Sequence, residues 1–163
     1  QTAIPAPYAQ GITLQGYAAT AEAPLNATNW NPASLWTAGE IISDVYDLLT
    51  YGRALATGHG LLDAKSQEQR LRSFQGPADY GLALRCTDGW VGHTGELPGY
   101  TTVVYYNTQT DTTVAIQTNS DIPSGDCGDA EVLPSNPLGI ACSLPAMRIF
   151  NALAHLLGGT AAP

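Results

Sequence analysis

The chain has 163 residues, enough for one domain with a buried core, and 44% of them are hydrophobic. Its formal net charge is −8, with 14 acidic residues against 6 basic ones, which argues against binding to nucleic acid or to an anionic membrane surface. Charged residues make up only 12% of the chain, and no apolar run is long enough to span a bilayer. This composition predicts an extracytoplasmic protein, either secreted or located in the cell envelope.

The first 36 residues are predicted to be irregular because they contain four prolines, which prevent long helices and strands. They lack the basic and then apolar pattern of a signal peptide, and the chain begins at Gln1 rather than at a methionine. We therefore expect that a segment upstream of Gln1 was removed or lies outside this sequence.

Residues 37–75 are predicted to be helical. Thr37 and Glu40 match the spacing of a capping box, and apolar residues recur after them at helical intervals. Gly58 is predicted to end this first helix, and Asp63 to cap a second, shorter one.

From residue 80 to residue 118 the pattern changes to strands rich in β-branched and aromatic residues. Short polar turns separate these strands, which predicts an antiparallel meander. The predicted strands are Tyr80–Arg85, Trp90–Thr94, Tyr100–Tyr106 and Thr112–Thr118.

Residues 119–142 are predicted to form a long loop, and residues 143–158 a C-terminal helix. Ser143 can cap this helix, Pro145 suits its first turn, and Gly158-Gly159 can end it. Together the elements predict an α+β fold: a small antiparallel sheet of three to four strands, with helices before it and the C-terminal helix packed on it. Strands from outside this chain could complete so small a sheet.

The three cysteines leave two possibilities open. Cys127 and Cys142 flank the loop, and a disulfide between them would leave Cys86 unpaired; alternatively all three are free thiols. No C-x-x-C pair and no Cys/His cluster has the spacing of a zinc site, so we expect neither a metal nor another cofactor.

Five short stretches carry a resemblance to a known family. They are T-A-G-E-I-I-S-D-V-Y-D-L at 37–48, G-H-G-L-L at 58–62, Y-G-L-A-L at 80–84, G-H-T-G-E-L-P-G-Y at 92–100 and T-N-S at 118–120. In this order and spacing they resemble the C-terminal half of the penicillin-recognising serine hydrolases, which include class C β-lactamases, D-alanyl-D-alanine carboxypeptidases and related esterases. The resemblance covers nearly the whole chain and implies a β-lactamase-like fold.

The resemblance also implies site residues, because His93-Thr94-Gly95 matches the H-T-G motif of that family. A strand at the edge of a cleft can bind substrate as one more strand, and Gly95 would leave room for it. Thr94 would bind a substrate carboxylate, and His93 would support the carboxylate site or the proton network. The backbone N–H of Glu96 would donate to the oxyanion. The alternative is a turn at the end of a strand, carrying a surface histidine.

The other two motifs of the family, S-x-x-K and Y-x-N, are missing from their places. Lys65 is the only lysine of the chain, and Leu62 stands where the serine would be. Tyr105-Tyr106-Asn107 spells Y-x-N but follows H-T-G, so we interpret it as a coincidence. The chain alone therefore lacks the nucleophile for acyl transfer.

Three functional hypotheses follow. The leading one makes residues 1–163 a single domain or the C-terminal portion of a serine hydrolase for peptides, β-lactams or esters, whose N-terminal half carries S-x-x-K. The second is a non-catalytic binding or assembly domain, which could pair with a second copy of itself through an open sheet edge. The third, a hydrolase with Cys86 as nucleophile, ranks last because Arg85 and Asp88 provide no clear general base.

Overall fold

The structure is a computed structural model that describes residues 3–76, 78–128, 132–133 and 135–157. It confirms the predicted α+β architecture. The helices are a 3-10 helix at Pro32–Ala38, α1 at Val45–Thr57, α2 at Ala64–Leu71 and α3 at Pro145–Leu156. The strands are β1 at Ile12–Thr13, β2 at Leu25–Asn26, β3 at Ala78–Tyr80, β4 at Arg85–Thr87, β5 at Trp90–Leu97, β6 at Tyr100–Asn107 and β7 at Thr112–Thr118.

Helix α1 begins later than the sequence predicted. Asp44 caps it, since its carboxylate accepts hydrogen bonds from the backbone N–H groups of Tyr46 and Asp47. The predicted start at Thr37 and Glu40 is wrong, because that stretch instead closes the preceding 3-10 helix.

The predicted end of α1 and the predicted cap of α2 are confirmed. Gly58 closes α1 in the left-handed region, with φ of 77°, and Asp63 caps α2 by accepting from the N–H of Ser66 at 2.9 Å. Ser143 was predicted to cap α3 by accepting from a helix N–H, but its hydroxyl instead donates to the Leu144 carbonyl. The predicted stop at Gly158-Gly159 lies outside the described residues.

The main sheet is an antiparallel meander of five strands in the order β3-β4-β5-β6-β7, and β1 pairs with β2 in a separate sheet. The sequence predicted one strand at Tyr80–Arg85, where the structure has β3 and β4 joined by a turn. Within that turn the N–H of Gly81 donates to the carbonyl of Leu84, and Ala83 has a φ of 55°. A short hydrogen-bonded turn thus adds one strand to the three or four that were expected.

The residues divide into two compact units, and each is built on its own packing. Of the described residues, the first unit contains 3–42, 95–102, 117–128, 132–133 and 135–148, and the second contains 43–76, 78–94, 103–116 and 149–157. Strands β5 and β6 contribute residues to both units.

The core of the second unit joins α1 to the sheet, through Leu55, Ala56, Leu84, Val91, Val104 and Tyr106. Gly52 allows α1 to approach closely, since a Cβ there would lie 2.6 Å from a methyl carbon of Val104. Phe150 of α3 stacks on Tyr105 at 4.7 Å between ring centroids and meets Trp90 edge-on at 5.4 Å. The C-terminal helix therefore packs on the sheet, as predicted.

A polar cluster at the surface of the second unit ties α1 to the turn before β7. Asp111 pairs with Arg53 and accepts a hydrogen bond from the Tyr106 hydroxyl at 2.8 Å. The Tyr106 hydroxyl, and next the Arg53 charge, hold the pKa of the Asp111 carboxyl below its usual value.

The first unit is held together by backbone contacts and by one covalent link. Gly11 passes so close to Gly99 that a Cβ on Gly99 would lie 2.7 Å from the Gly11 carbonyl carbon. Cys127 and Cys142 form a disulfide that spans 15 positions, and Cys86, in the second unit, is a free thiol.

Candidate functional site

Strand β5 holds the H-T-G stretch, and its register is set by a tight turn. Asp88 and Gly89 form this turn with φ of 46° and 83°, which pairs Thr87 with Trp90. In such a turn the two flanking residues hydrogen-bond each other through their backbones. The N–H and C=O groups of Trp90 therefore point towards β4.

Beyond Gly92 the β4 side of β5 is open. Strand β4 begins at Arg85, which pairs with Gly92, and no other strand in the described part of the chain pairs with this edge further along. Because peptide groups alternate along a strand, those of Thr94 and Glu96 point to the same side as those of Trp90. Their N–H and C=O groups therefore lie on the open edge.

The two glycines of the G-H-T-G stretch do different things. A Cβ at Gly92 would lie 2.0 Å from the Val104 carbonyl oxygen, so only glycine fits there without moving backbone. A Cβ at the exposed Gly95 would meet only Thr102, at the ordinary contact distance of 3.6 Å. Packing among the described residues therefore explains Gly92 but not Gly95.

His93 lies half-buried within β5, and two hydrogen bonds orient its ring. Nδ1 bonds the carbonyl of Thr94, and Nε2 lies 3.0 Å from the hydroxyl of Tyr80. A carbonyl can only accept, so the neutral ring carries its proton on Nδ1, and Nε2 accepts from the Tyr80 O–H. The two rings meet edge-on, with centroids 5.5 Å apart.

Tyr80 is the site residue that the sequence did not single out. It is the first residue of the Y-G-L-A-L stretch, and the pairing of β3 to β4 and β4 to β5 brings it beside a histidine 13 positions later. Asp79 anchors it, since one carboxylate oxygen accepts from the Tyr80 N–H at 2.7 Å and the other from the Gln75 N–H at 2.6 Å. These two bonds, that of Gln75 first, lower the pKa of the Asp79 carboxyl.

A cleft of about 430 Å³ in the first unit has the exposed Glu96 on its wall. Asp121 also lines it and is only 5% exposed. One Asp121 oxygen accepts from the Thr13 hydroxyl at 2.9 Å and from the Gln15 amide at 2.6 Å. The other, Oδ1, is buried without a partner among the described residues. The lining residues are Leu14, Gln15, Gly16, Glu96, Asp121, Ile122, Pro123 and Leu144.

The structure also shows the surroundings of two other candidates from the sequence, the Y-x-N triplet and Cys86. Asn107 of the Y-x-N triplet is buried and accepts from the N–H groups of Gln109 and Thr110, which shapes the turn into β7. Burial raises the pKa of Tyr105, in the same triplet, to about 12. Burial also raises the pKa of the Cys86 thiol, which disfavours the nucleophilic thiolate.

Within the ranges that the structure describes, no three His, Cys, Asp or Glu side chains come together as a metal site would require. No helix in those ranges combines the length and the apolar character needed to cross a bilayer.

The meander, the covering helix and the open-edged H-T-G strand define a β-lactamase-like fold. The chain belongs to the Beta-lactamase family, whose model matches residues 2–133. No curated protein matches the sequence.

Solved structures that match this chain include a D-stereospecific amidohydrolase and a D-amino acid amidase. A D-stereospecific amidohydrolase from Streptomyces sp. matches 74% of this chain and 37% of its own, with 25% identity and a TM-score of 0.64. D-amino acid amidase from Ochrobactrum anthropi SV3 matches in complexes with L-phenylalanine amide and D-phenylalanine, with 24% identity, 69% of this chain covered and TM-scores of 0.56 and 0.57. The chain spans 35% and 36% of the amidase in these two comparisons, so the match covers little more than a third of that relative's length.

Proposed function

We propose that this chain is the C-terminal portion of a serine amidohydrolase for D-amino-acid amides and peptides, and that it supplies the H-T-G wall of the active site. D-alanyl-D-alanine peptides, β-lactams and small esters are the related substrates that such a site would accept. The observation that carries the proposal is the open edge of β5, where the peptide groups of Thr94 and Glu96 have no neighbouring strand in the described part of the chain.

The open edge supports a specific mode of binding. An extended substrate would lie along β5 as an added strand, over the exposed Gly95, whose missing side chain leaves space for it. Thr94 and His93 would hold the end of the substrate, and the hydrogen bond from Tyr80 would keep the ring of His93 in one orientation.

The chemistry would be acyl transfer in two steps. A serine attacks the carbonyl carbon, and the resulting oxyanion receives hydrogen bonds from the N–H of Glu96 and the N–H of that serine. The C–N bond then breaks, the amine leaves with a proton, and water hydrolyses the acyl-enzyme.

The serine would come from a portion with S-x-x-K outside this chain, as the length of the relatives suggests. Three apolar side chains on α1 are exposed: Val45 by 37%, Tyr46 by 79% and Leu49 by 39%. An apolar surface of this kind is suited to contact the portion that carries S-x-x-K. The disulfide between Cys127 and Cys142 supports an extracytoplasmic location, because such bonds persist in oxidising compartments.

Removing the Glu96 N–H tests the proposal. In the protein that includes its S-x-x-K portion, Glu96→Pro should lower kcat for D-phenylalanine amide by about 100- to 1,000-fold, as loss of one oxyanion donor does. Glu96→Ala keeps the N–H, so the drop in Glu96→Pro beyond that in Glu96→Ala measures the backbone group alone. Equal activity of the two variants, with both folded by circular dichroism, contradicts the oxyanion role.

A second measurement concerns the nucleophile. The 163-residue chain by itself should not be labelled by a fluorescent penicillin, whereas the protein with S-x-x-K should be. The non-catalytic alternative rests on the same open edge of β5, which could pair with a second copy. It would gain support from a stable homodimer in analytical ultracentrifugation, combined with no hydrolysis by the longer protein.

A further inference from the structure

The hydrogen bonds of His93 occupy both nitrogens of its ring. In the neutral ring, Nδ1 donates to the carbonyl of Thr94 and Nε2 accepts from the Tyr80 hydroxyl at 3.0 Å. The H-T-G motif predicts that His93 itself contacts the substrate. With both nitrogens occupied, the ring keeps no N–H to offer to a substrate carboxylate or carbonyl.

The polar atom that this pair presents to a ligand is the oxygen of Tyr80. A phenol that gives its only proton to a neighbour keeps lone pairs, so towards a ligand it can act only as an acceptor. Tyr80 is 53% exposed. It also lines a surface cleft of about 370 Å³, which leaves room for a ligand beside it.

The pair lies where the open edge of β5 begins. Strand β4 starts at Arg85, which pairs with Gly92, the residue before His93. Because peptide groups alternate along a strand, the carbonyl of Thr94 points to the same side as the peptide groups of Gly92. The His93 ring bonds that carbonyl, so the ring and the Tyr80 hydroxyl stand at the edge that an added substrate strand would follow.

The end of β3 is held on both sides of Tyr80. On one side, the Asp79 carboxylate accepts from the backbone N–H groups of Tyr80 and Gln75. On the other side, the Ser73 hydroxyl accepts from the Leu82 N–H at 2.7 Å. The backbone that carries Tyr80 is therefore fixed before a ligand arrives, which lowers the entropy cost of placing its hydroxyl.

From this geometry we propose that Tyr80 contacts the substrate as a hydrogen-bond acceptor and that His93 is the residue that positions it. This inference rests on the proposed function and adds a residue to its site. His93 then holds the substrate through the Tyr80 hydroxyl rather than through its own ring.

The group that Tyr80 receives would be an N–H of the leaving amine. The carboxylate that the H-T-G motif is expected to bind belongs to the leaving side of a peptide, so the leaving nitrogen of an amide lies towards the same end of the site. An ester has an oxygen without a proton at that place and gives Tyr80 no hydrogen bond. Tyr80 should therefore raise the preference of the site for amides over esters.

The test uses two substrates that differ only in the leaving group, D-phenylalanine amide and D-phenylalanine methyl ester. In the protein that includes S-x-x-K, Tyr80→Phe should lower kcat/KM for the amide about 3- to 10-fold more than for the ester, as expected for the loss of one neutral hydrogen bond. A general disturbance of the fold would affect both substrates alike. An unchanged amide-to-ester ratio in Tyr80→Phe overturns the inference.

The matched control is Tyr51→Phe, which removes the hydroxyl from another exposed tyrosine of the same unit. It should leave the amide-to-ester ratio as it is in the wild type. A change in this control as large as in Tyr80→Phe would show that the ratio does not depend on the Tyr80 hydroxyl, and would count against the inference.

The tautomer of His93 can be measured in the 163-residue chain without a substrate. At about pH 8, above the range in which an unperturbed imidazole takes up its proton, the ring nitrogen NMR signals should show a proton on Nδ1 and none on Nε2. In Tyr80→Phe one of the two bonds that select this form is lost, so the ratio of the two tautomers should fall by about 3- to 10-fold. A proton on Nε2 in the wild type overturns the inference, since the Tyr80 oxygen would then accept from His93 and direct its own proton outward.

The two measurements keep this inference separate from the hydrolase proposal. No hydrolysis by the longer protein, together with a proton on Nδ1, would refute the hydrolase and retain the pair as an acceptor. Hydrolysis of both substrates, together with a proton on Nε2, would retain the hydrolase and refute the role of Tyr80.

Discussion

Replacing Gly92 by alanine should separate β5 from β6. The new Cβ would lie 2.0 Å from the Val104 carbonyl oxygen and 2.8 Å from the Tyr105 Cα, whereas real Cβ contacts are not shorter than 3.0 Å. Because both neighbours are backbone atoms, they can yield only if the strands move apart, which weakens ladder hydrogen bonds and the packing around them. We expect a loss of about 3 kcal/mol, the upper end of the usual cost of overpacking.

Thermal and urea unfolding, followed by circular dichroism, measure this loss. For a chain of this length, 1 kcal/mol corresponds to about 2–4 °C in Tm, so Gly92→Ala should lower Tm by about 6–12 °C. Gly95→Ala is the matched control, since its Cβ would be 3.6 Å from the nearest atom, in Thr102, and the free energy of unfolding should change by less than about 0.5 kcal/mol. Equal shifts for the two variants would refute the packing argument for Gly92.

Three further predictions concern the scaffold. Asp44→Ala should lower the free energy of unfolding in urea by about 1 kcal/mol because Asp44 caps α1, whereas Thr37→Ala should leave it almost unchanged. A larger loss for Thr37→Ala than for Asp44→Ala would show that Thr37 is the cap. Replacing Cys127 and Cys142 by serine should cost about 3 kcal/mol, because the link closes a loop of 15 positions; an unchanged urea midpoint would contradict this. The depressed pKa of Asp111 stabilises the fold above the ordinary aspartate pKa of about 4, and this contribution is lost as pH falls further. The difference in free energy of unfolding between the wild type and Asp111→Asn should therefore become smaller in acid. A difference that stays constant from pH 7 to pH 2 would show that the Asp111 carboxyl does not make stability depend on pH.

Strand β5 has a tightly packed edge and an unpaired edge within one short stretch. At Gly92 the strand is packed against the backbone of its neighbour, and from Thr94 onward no strand in the described part of the chain pairs with its other edge. A rigid strand with one open edge is suited to present backbone donors in a fixed geometry, which acyl transfer needs because the donors must be in place before the charge develops.

Much of the fold could be predicted because its signals are local. Glycine at 58 can take the left-handed conformation that closes a helix, and the carboxylate of Asp63 can reach a free N–H three residues on. Alternating β-branched and aromatic residues predicted the antiparallel order of the strands after residue 80. The five short stretches, taken together in their order and spacing, were sufficient for the family.

Other features depend on contacts between distant residues, so only the tertiary structure decided them. The sequence predicted a cap at Thr37 and Glu40, but the 3-10 helix runs through Ala38 and Asp44 caps α1 instead. The partnership of Tyr80 with His93 arises from the pairing of three strands. Among the described residues, Asp121 Oδ1 has no hydrogen-bond partner, because the side chains of Thr13 and Gln15, more than 100 positions away, both bond Oδ2. Sequence patterns record what a residue can do with its near neighbours, whereas burial and long-range hydrogen bonds determine which of those possibilities it uses.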